Sequence, residues 1–353
     1  MKLGDVCQVV SGATPKTSVE EYWDGDINWV TPADLSKLSG AYISETPRKI
    51  TEAGFESCAT NLLPENSVLL SSRAPIGHVA INTVPMATNQ GFKSLIPSDQ
   101  ILPKFLYYWL LDHKEYLQSL GVGATFKELS KKTVENIKLD IPPLEEQAKQ
   151  VEIRDLQSMI AQKRERQQDL LQELEKSVFT RLFIKKSYTS KPLSYLADIW
   201  DCPHSTPKWT NSGNICLRTT NLGYGDWKWA DIRYIDDEQF KKRSRGGGAK
   251  PGDIIISREG TVGVAAIVPN GLEVAMGQRL VQIRCKDSNI IPEFLLGYLL
   301  HSLAPEKISA KMVGSTAKHL NVRDLKNLPT PIPLLEDQIL YKKLRELISY
   351  TKI

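Results

Sequence analysis

Lys241, Lys242, Arg243, Arg245 and Lys250 surround the run Gly246-Gly247-Gly248. Five cations about a glycine hinge make a positive loop suited to phosphates, because counterion release rewards charge and not base sequence. Arg48 and Lys49, after Thr46-Pro47, form a smaller cluster in the first half of the chain. Base edges need other chemistry: Arg and Lys fork onto guanine, Asn and Gln onto adenine. Residues of that kind are Arg73 with His78, Arg258 with Thr261, and the pairs Asn89-Gln90 and Gln278-Arg279. Each sits beside a turn: a salt-bridged strand edge explains the Ser-Arg residues equally, and turn chemistry is the favoured reading of the Asn-Gln and Gln-Arg pairs, since both copies carry the Gln. Lys127, Lys131 and Lys132, like Lys318, Arg323 and Lys326, follow Gly-x-Thr turns, where they could anchor a phosphate backbone.

Bond-making chemistry has no comparable set. A P-loop requires GxxxxGK[ST], which Gly121-Val-Gly-Ala-Thr-Phe-Lys127 does not supply. Ile141-Pro-Pro-Leu144 lacks the aromatic with which an adenine methyltransferase grips a flipped base. Asp253 and Glu259 beside Arg258 are the nearest nuclease-like carboxylates, but Asp253 reads as a turn residue before a strand. His78, His113, His204, His301 and His319 show no metal-ligand spacing. The five cysteines form no CxxC pair and fit a reducing compartment. The expectation is a chain without catalysis, metal or cofactor of its own.

The elements that position these residues occur twice. Pro64…Arg73 and Ile76-Gly-His-Val-Ala80 recur as Pro251…Arg258 and Val262-Gly-Val-Ala265. Leu102-Pro-Lys-Phe-Leu106 recurs as Ile291-Pro-Glu-Phe-Leu295, and Gly123…Leu129 as Gly314…Leu320. Ile141-Pro-Pro-Leu-Glu-Glu-Gln147 recurs as Ile332-Pro-Leu-Leu-Glu-Asp-Gln338. A period of about 185 to 191 residues means two domains of one type, not a solenoid of 20–50-residue repeats. Each copy reads as short β-rich runs, a Pro-initiated helix and an Ile-Pro element, an α+β pattern.

Between the copies the text changes. Residues 144–185 hold neither Pro nor Gly, and Leu144, Ala148, Val151, Leu156, Ile160, Leu170, Leu174, Val178 and Leu182 form a helical stripe. So narrow a stripe requires a partner helix. Leu335, Ile339, Leu344, Leu347 and Ile348 draw the same stripe over a shorter tail. An antiparallel pair is expected, with the polar segment Ala161–Asp169 as its weak link.

Taken together these segments resemble the specificity (S) subunit of type I restriction–modification systems. The matching text is Ser11-Gly-Ala-Thr-Pro15, Tyr22…Leu35, Pro64…Gly77, Asn89-Gln-Gly-Phe-Lys93 and Pro143-Leu-Glu-Glu-Gln147 opening a long helix. The resemblance implies two target-recognition domains, each reading half of a split duplex DNA site, with an antiparallel coiled coil as spacer. It also implies partners: adenine methyltransferase (M) subunits using S-adenosylmethionine, and a restriction (R) subunit using ATP and Mg2+. The corresponding division is 1–142, 143–186, 187–333 and 334–353. The short distal stripe leaves part of the central helix for an M subunit or a second S chain. The other classes considered are a self-sufficient metal-dependent nuclease and a coiled-coil adaptor.

Composition agrees with a folded, DNA-associated chain. Of 353 residues 41% are apolar and 24% charged, and no apolar run approaches the roughly 20 residues of a membrane span. The opening Met-Lys-Leu-Gly-Asp shows no basic cap before an apolar stretch, so the expected location is cytoplasmic. Net charge is +4 overall, but residues 1–185 carry −3 and the remainder +7. If the central helix sets the distance between half-sites, inserting four residues near Lys163 lengthens the spacer by about 2 bp. Methylome sequencing of such a variant reads that number, and an unchanged spacer rules the idea out.

Overall fold

The structure, a computed structural model, describes the chain except residues 74, 124–126, 245–247, 287–288, 304–319 and 352–353. It divides into two compact units, Met1–Lys163 and Arg164–Ile353.

In the first unit the strands are β1 (Cys7–Ser11), β2 (Trp23–Val30), β3 (Tyr42–Ile43), β4 (Lys49–Ile50), β5 (Val68–Leu70), β6 (Val79–Asn82), β7 (Ala87–Thr88) and β8 (Lys93–Pro97). They form a five-stranded sheet in the order β1-β8-β5-β6-β3 and a three-stranded one in the order β4-β2-β7. β5 is apolar throughout because both its faces are covered. Val68 and Leu70 point into a core with Val9, Leu95, Phe105, Leu106 and Leu110. Leu69 points the other way, among Val30, Leu63, Met86 and Phe92. Alternating side chains on a strand buried on both faces produce a continuous apolar run.

The second unit repeats this plan. Its strands are β9 (Ser190–Pro192), β10 (Ala197–Asp201), β11 (Asn214–Leu217), β12 (Tyr234–Ile235), β13 (Ile254–Ser257), β14 (Ala265–Ile267), β15 (Ala275–Met276), β16 (Leu280–Cys285) and β17 (Pro329–Pro331). The orders β10-β16-β13-β14 and β12-β11-β15 copy β1-β8-β5-β6 and β4-β2-β7. Ile254 and Ile256 enter one core and Ile255 the other, as in β5. The class is α+β, and the duplication read from the sequence is a duplication of fold.

Four helices matter for the site: α1 (Pro103–Asp112), α2 (Leu144–Phe179), α3 (Pro292–Ser302) and α4 (Leu335–Thr351). α1 and α3 begin on Pro, whose missing N–H would be unpaired there anyway. α2 is one unbroken helix of 36 residues, about 54 Å long at 1.5 Å per residue. In the second unit its end runs antiparallel to α4. Lys186 meets Asp337 at 3.0 Å, Phe183 and Phe179 pack on Tyr341, and Glu175 binds Arg345 at 2.9 Å.

The sequence stripe describes only part of what is buried: Ile348 is buried and Val151, Val178 and Leu182 pack against the cores, but other stripe residues do not. Leu156, Ile160, Leu170 and Leu174 are about half exposed, whereas Phe179 and Phe183 are buried with Phe294. In α4 it is Tyr341 and Ile348 that turn inward, while Leu335, Ile339 and Leu347 are exposed. Aromatics one turn apart reach into the domain, so the buried face is set by docking at the helix end and not by a uniform seam.

The repeated Leu-Glu-(Glu/Asp)-Gln text has a structural role. The Gln147 amide accepts from Leu102 N and donates to the Gln100 and Pro142 carbonyls. Gln338 accepts from Ile291 N and donates to Asn289 and Pro333 in the same way. Both are fully buried. Gln147→Ala removes all three partners from buried backbone and is expected to cost about 2–4 kcal/mol. Urea unfolding checks this, with Gln338→Ala behaving alike; a loss below about 0.5 kcal/mol for both would contradict the clamp.

Candidate nucleic-acid interface

Strand register, more than sequence identity, defines the candidate site. Ser11 pairs with Lys93 in β1–β8 and Asp201 with Val281 in β10–β16. Val68 faces Leu95 and Ile254 faces Ile283. Gly91 therefore occupies the position of Arg279, and Ser72 that of Arg258. The backbone bonds agree: Ser72 N donates to Gly91 O at 2.7 Å, and Arg258 N to Arg279 O at 2.9 Å. Matching Arg73 with Arg258 by their Ser-Arg text is one residue out of register; Arg73 corresponds to Glu259. Likewise Asn66 matches Gly252, both left-handed with φ of 65° and 87°, so Ser67 is the counterpart of Asp253.

In the first unit this strand end gathers Thr14, Arg73, Asn89, Gln90 and Lys93. Thr14 donates to the Gln90 side chain, and the Asn89 side chain caps Gly91 N at 2.9 Å. Arg73 and Lys93 share the Glu128 carboxylate at 3.6 and 3.5 Å. Gly91 leaves room here, since a Cβ would stand 3.0 Å from Asn89 Oδ1 and 3.7 Å from Arg73 Cγ. His78 is half-buried on β6's approach; burial, helped by the Lys114 ammonium, holds its imidazole below the ordinary value. At neutral pH it offers a hydrogen bond and not a charge.

In the second unit the same strand end is a polar cleft of about 190 Å³ lined by Cys202, His204, Arg258, Glu259, Gln278 and Arg279. Arg258 is buried and fixed by Asp201 at 2.5 Å. Gln278 Nε2 donates to His204 O at 2.7 Å. Arg279 meets Glu259 at 3.3 Å and stays well exposed. The structure thus brings together Arg258, Gln278 and Arg279 in one unit, and Arg73, Asn89 and Gln90 in the other.

The remaining candidates lie elsewhere. Arg48 stacks on Trp23, 3.9 Å from the ring centroid, and Lys49 pairs with Glu45 at 3.8 Å. Lys127 is exposed; Lys131 sits on a short helix in an i,i+4 pair with Glu135. Lys241 and Lys242 occupy the last turn of the helix Asp237–Arg243, Lys242 paired with Glu238. Arg243 ends that helix but turns inward, donating to Ser205 O at 2.6 Å. Arg323 lies exposed on the short helix Val322–Lys326. Arg245 and Lys318 fall outside the described residues.

Sequence reasoning missed the acidic partners Glu128 and Asp201, read Glu259 as a nuclease-like carboxylate and not as the partner of Arg279, and missed the contribution of Thr14 and His204. Thr14 and His204 are placed by β1 and β10 ending beside β8 and β16; the loops share Thr14-Pro-Lys16 and Thr206-Pro-Lys208, but that match leaves Asp201 and His204 without a counterpart of like chemistry. Asp253, the suspected metal carboxylate, is buried and saturated with donors. Arg284 grips it with two bonds of 2.7 Å, and Gln282 and Lys250 N add bonds of 2.8 Å. No group of three or more His, Cys, Asp or Glu suited to a metal occurs among the described residues. No described helix is long and apolar enough to cross a membrane.

A duplicated α+β frame, with different polar side chains at equivalent strand ends and a long connecting helix, defines a class of two-domain protein. The family model for the type I restriction modification DNA specificity domain matches residues 1–176 and 210–353, and the chain belongs to that family. A relative from Methanocaldococcus jannaschii, the type I restriction enzyme MjaIX specificity subunit, is 37% identical over 52% of this chain. The match spans 43% of that relative's length, less than half. The MjaVIII specificity subunit of the same organism is 21% identical over 96% of this chain and 83% of its own. Among solved structures, an S subunit of a type I system from M. genitalium has a TM-score of 0.56 at 12% identity, covering 100% of this chain and 89% of that one.

Asp253→Ala strands the Arg284 guanidinium without its carboxylate and is expected to cost about 3–5 kcal/mol. Thermal unfolding checks it; a variant as stable as the parent would show that Asp253 is not held for the ion pair.

Proposed function

We propose that this chain reads a bipartite duplex DNA target for a type I restriction–modification complex, one half-site per unit. The observation that supports this most is the polar cluster built twice on equivalent strand ends and filled differently. A shared frame with changed side chains suits two unlike half-sites, since backbone position is preserved while donors and acceptors differ. Base reading is assigned to Arg73, Asn89 and Gln90 in one unit and to Gln278 and Arg279 in the other, with Arg258 bracing the cleft. Phosphate anchoring is assigned to the exposed cations Lys127, Lys131, Lys241, Lys242 and Arg323.

The partners assigned are M subunits, which supply S-adenosylmethionine chemistry, and an R subunit, which supplies ATP- and Mg2+-dependent chemistry. The half-exposed apolar residues Ile153, Leu156, Ile160, Leu170 and Leu174 recur at three- and four-residue steps apart from one gap. They favour a helical partner, an M subunit or a second S chain. The division 1–142, 143–186, 187–333 and 334–353 is retained as the functional one, and the cytoplasm as the site of action.

The test is a domain exchange. Residues 1–142 are replaced by the corresponding segment of another family member, and the methylome is sequenced in cells that supply the M subunit. One half of the motif is expected to change and the other to persist. A change in both halves, or in neither, overturns the modular reading.

A further inference from the structure

Arg279 differs from four arginines held within the second unit. Arg258 is fixed by Asp201, Arg218 by Asp231, Arg284 by Asp253, and Arg243 is spent on the Ser205 carbonyl. Each of those guanidiniums is mostly sheltered and oriented for a partner inside the fold. The Arg279 side chain is 61% exposed and opens onto the cleft, touched at Nε by Glu259 at 3.3 Å. That contact leaves the planar pair of terminal nitrogens to other partners.

Its backbone makes the choice of residue more telling. Arg279 holds a left-handed φ of 66°, a conformation that disfavours any residue with a Cβ. Glycine would relieve it, and Gly91, at the equivalent position in the first unit, does not share the left-handed backbone, so the strain belongs to Arg279 itself. A cation is thus kept where folding alone prefers glycine. Gln278, tied to His204 O, fixes the preceding residue and so the direction from which Arg279 leaves the strand end.

We infer that Arg279 is a specificity-determining residue that reads a guanine in the major groove of the half-site belonging to the second unit. Glu259 is its positioning residue. A guanidinium fork matches guanine O6 and N7, whereas a lone phosphate would need only the charge. The inference rests on the proposed DNA-reading function and refines it to one residue and one base.

The experiment uses the full chain with its M subunit in a host, comparing wild type, Arg279→Gly and Arg279→Lys by methylome sequencing and thermal unfolding. The wild-type motif is expected to contain a guanine in the second half-site, identified by the exchange of residues 1–142. Arg279→Gly is expected to unfold at or above the wild-type temperature. It should lose discrimination at that one base pair by roughly tenfold or more, while the first half-site keeps its sequence. Arg279→Lys keeps part of the preference. A second half-site without guanine, or an unchanged motif in Arg279→Gly, overturns the assignment. So does a uniform loss at all sequences with a shallower salt dependence, which marks a phosphate contact. A fall in unfolding temperature in Arg279→Gly marks a structural role and overturns it too. If the wild-type complex yields no bipartite motif, the DNA-reading function itself fails, a result distinct from each of these.

Discussion

Burial of the central strand on both faces constrains everything else in each unit. β5 and β13 contribute Val68, Leu69 and Leu70, or Ile254, Ile255 and Ile256, and every one of these side chains lies in a core. Within such a strand a polar residue would lose its water without gaining a partner. Chemistry is therefore displaced to the strand ends, where the ladder finishes and loops emerge. Because β8 pairs with β5 and β1, and β16 with β13 and β10, their register places three loop ends side by side. The Arg73 and Arg279 clusters sit where that geometry puts polar side chains.

Much of this was legible in the chain. The apolar runs named the central strands, the Pro-led segments named α1 and α3, and the recurring Pro-Leu-Glu-Gln text named the helix entrances. What escaped reading has identifiable causes. Ser-Arg occurs at both strand ends, and matching identical letters overrode a ladder that counts from Leu95 and Ile283. Arg48 looked like a surface cation, but the indoles of Trp23 and Trp29 are separated from it by many residues and give no local signal. Phe179 and Phe183 lie outside the heptad-like stripe because they serve the domain at the helix end, not a helix seam. Acidic partners were the largest omission: Glu128 and Asp201 neighbour Arg73 and Arg258 through tertiary structure alone, as Glu259 does Arg279.

Those carboxylates change what the cations can do. An exposed ion pair contributes little to stability, typically 0–1 kcal/mol, so Glu128 and Glu259 are poorly explained as staples. They do restrict long side chains that otherwise lose much rotamer freedom on binding. They also set a local balance of charge, so that Arg73 and Lys93 around one Glu128 leave one positive charge in excess and not two. On the proposed reading, non-specific attraction then falls to the exposed lysines, while the strand-end residues discriminate. The same division appears in the buried Asp253–Arg284 pair, which is used inside the fold and offers nothing to a ligand.

The Gln clamp shows why a frame of this kind tolerates change at its loops. A helix held to a domain by apolar contact alone has many nearly equal seatings, since dispersion and area burial are weakly directional. Gln147 must meet one N–H and two carbonyls on separate stretches of backbone, and only one seating satisfies all of them. Gln338 solves the same problem with the same three kinds of partner. Its amide is neutral, so the clamp adds no charge to the core and does not titrate. Helix entry is thereby fixed identically in both units by atoms that the loop ends do not share. Side chains such as Arg279 and Gly91 can then differ without disturbing the element that carries the chain onward.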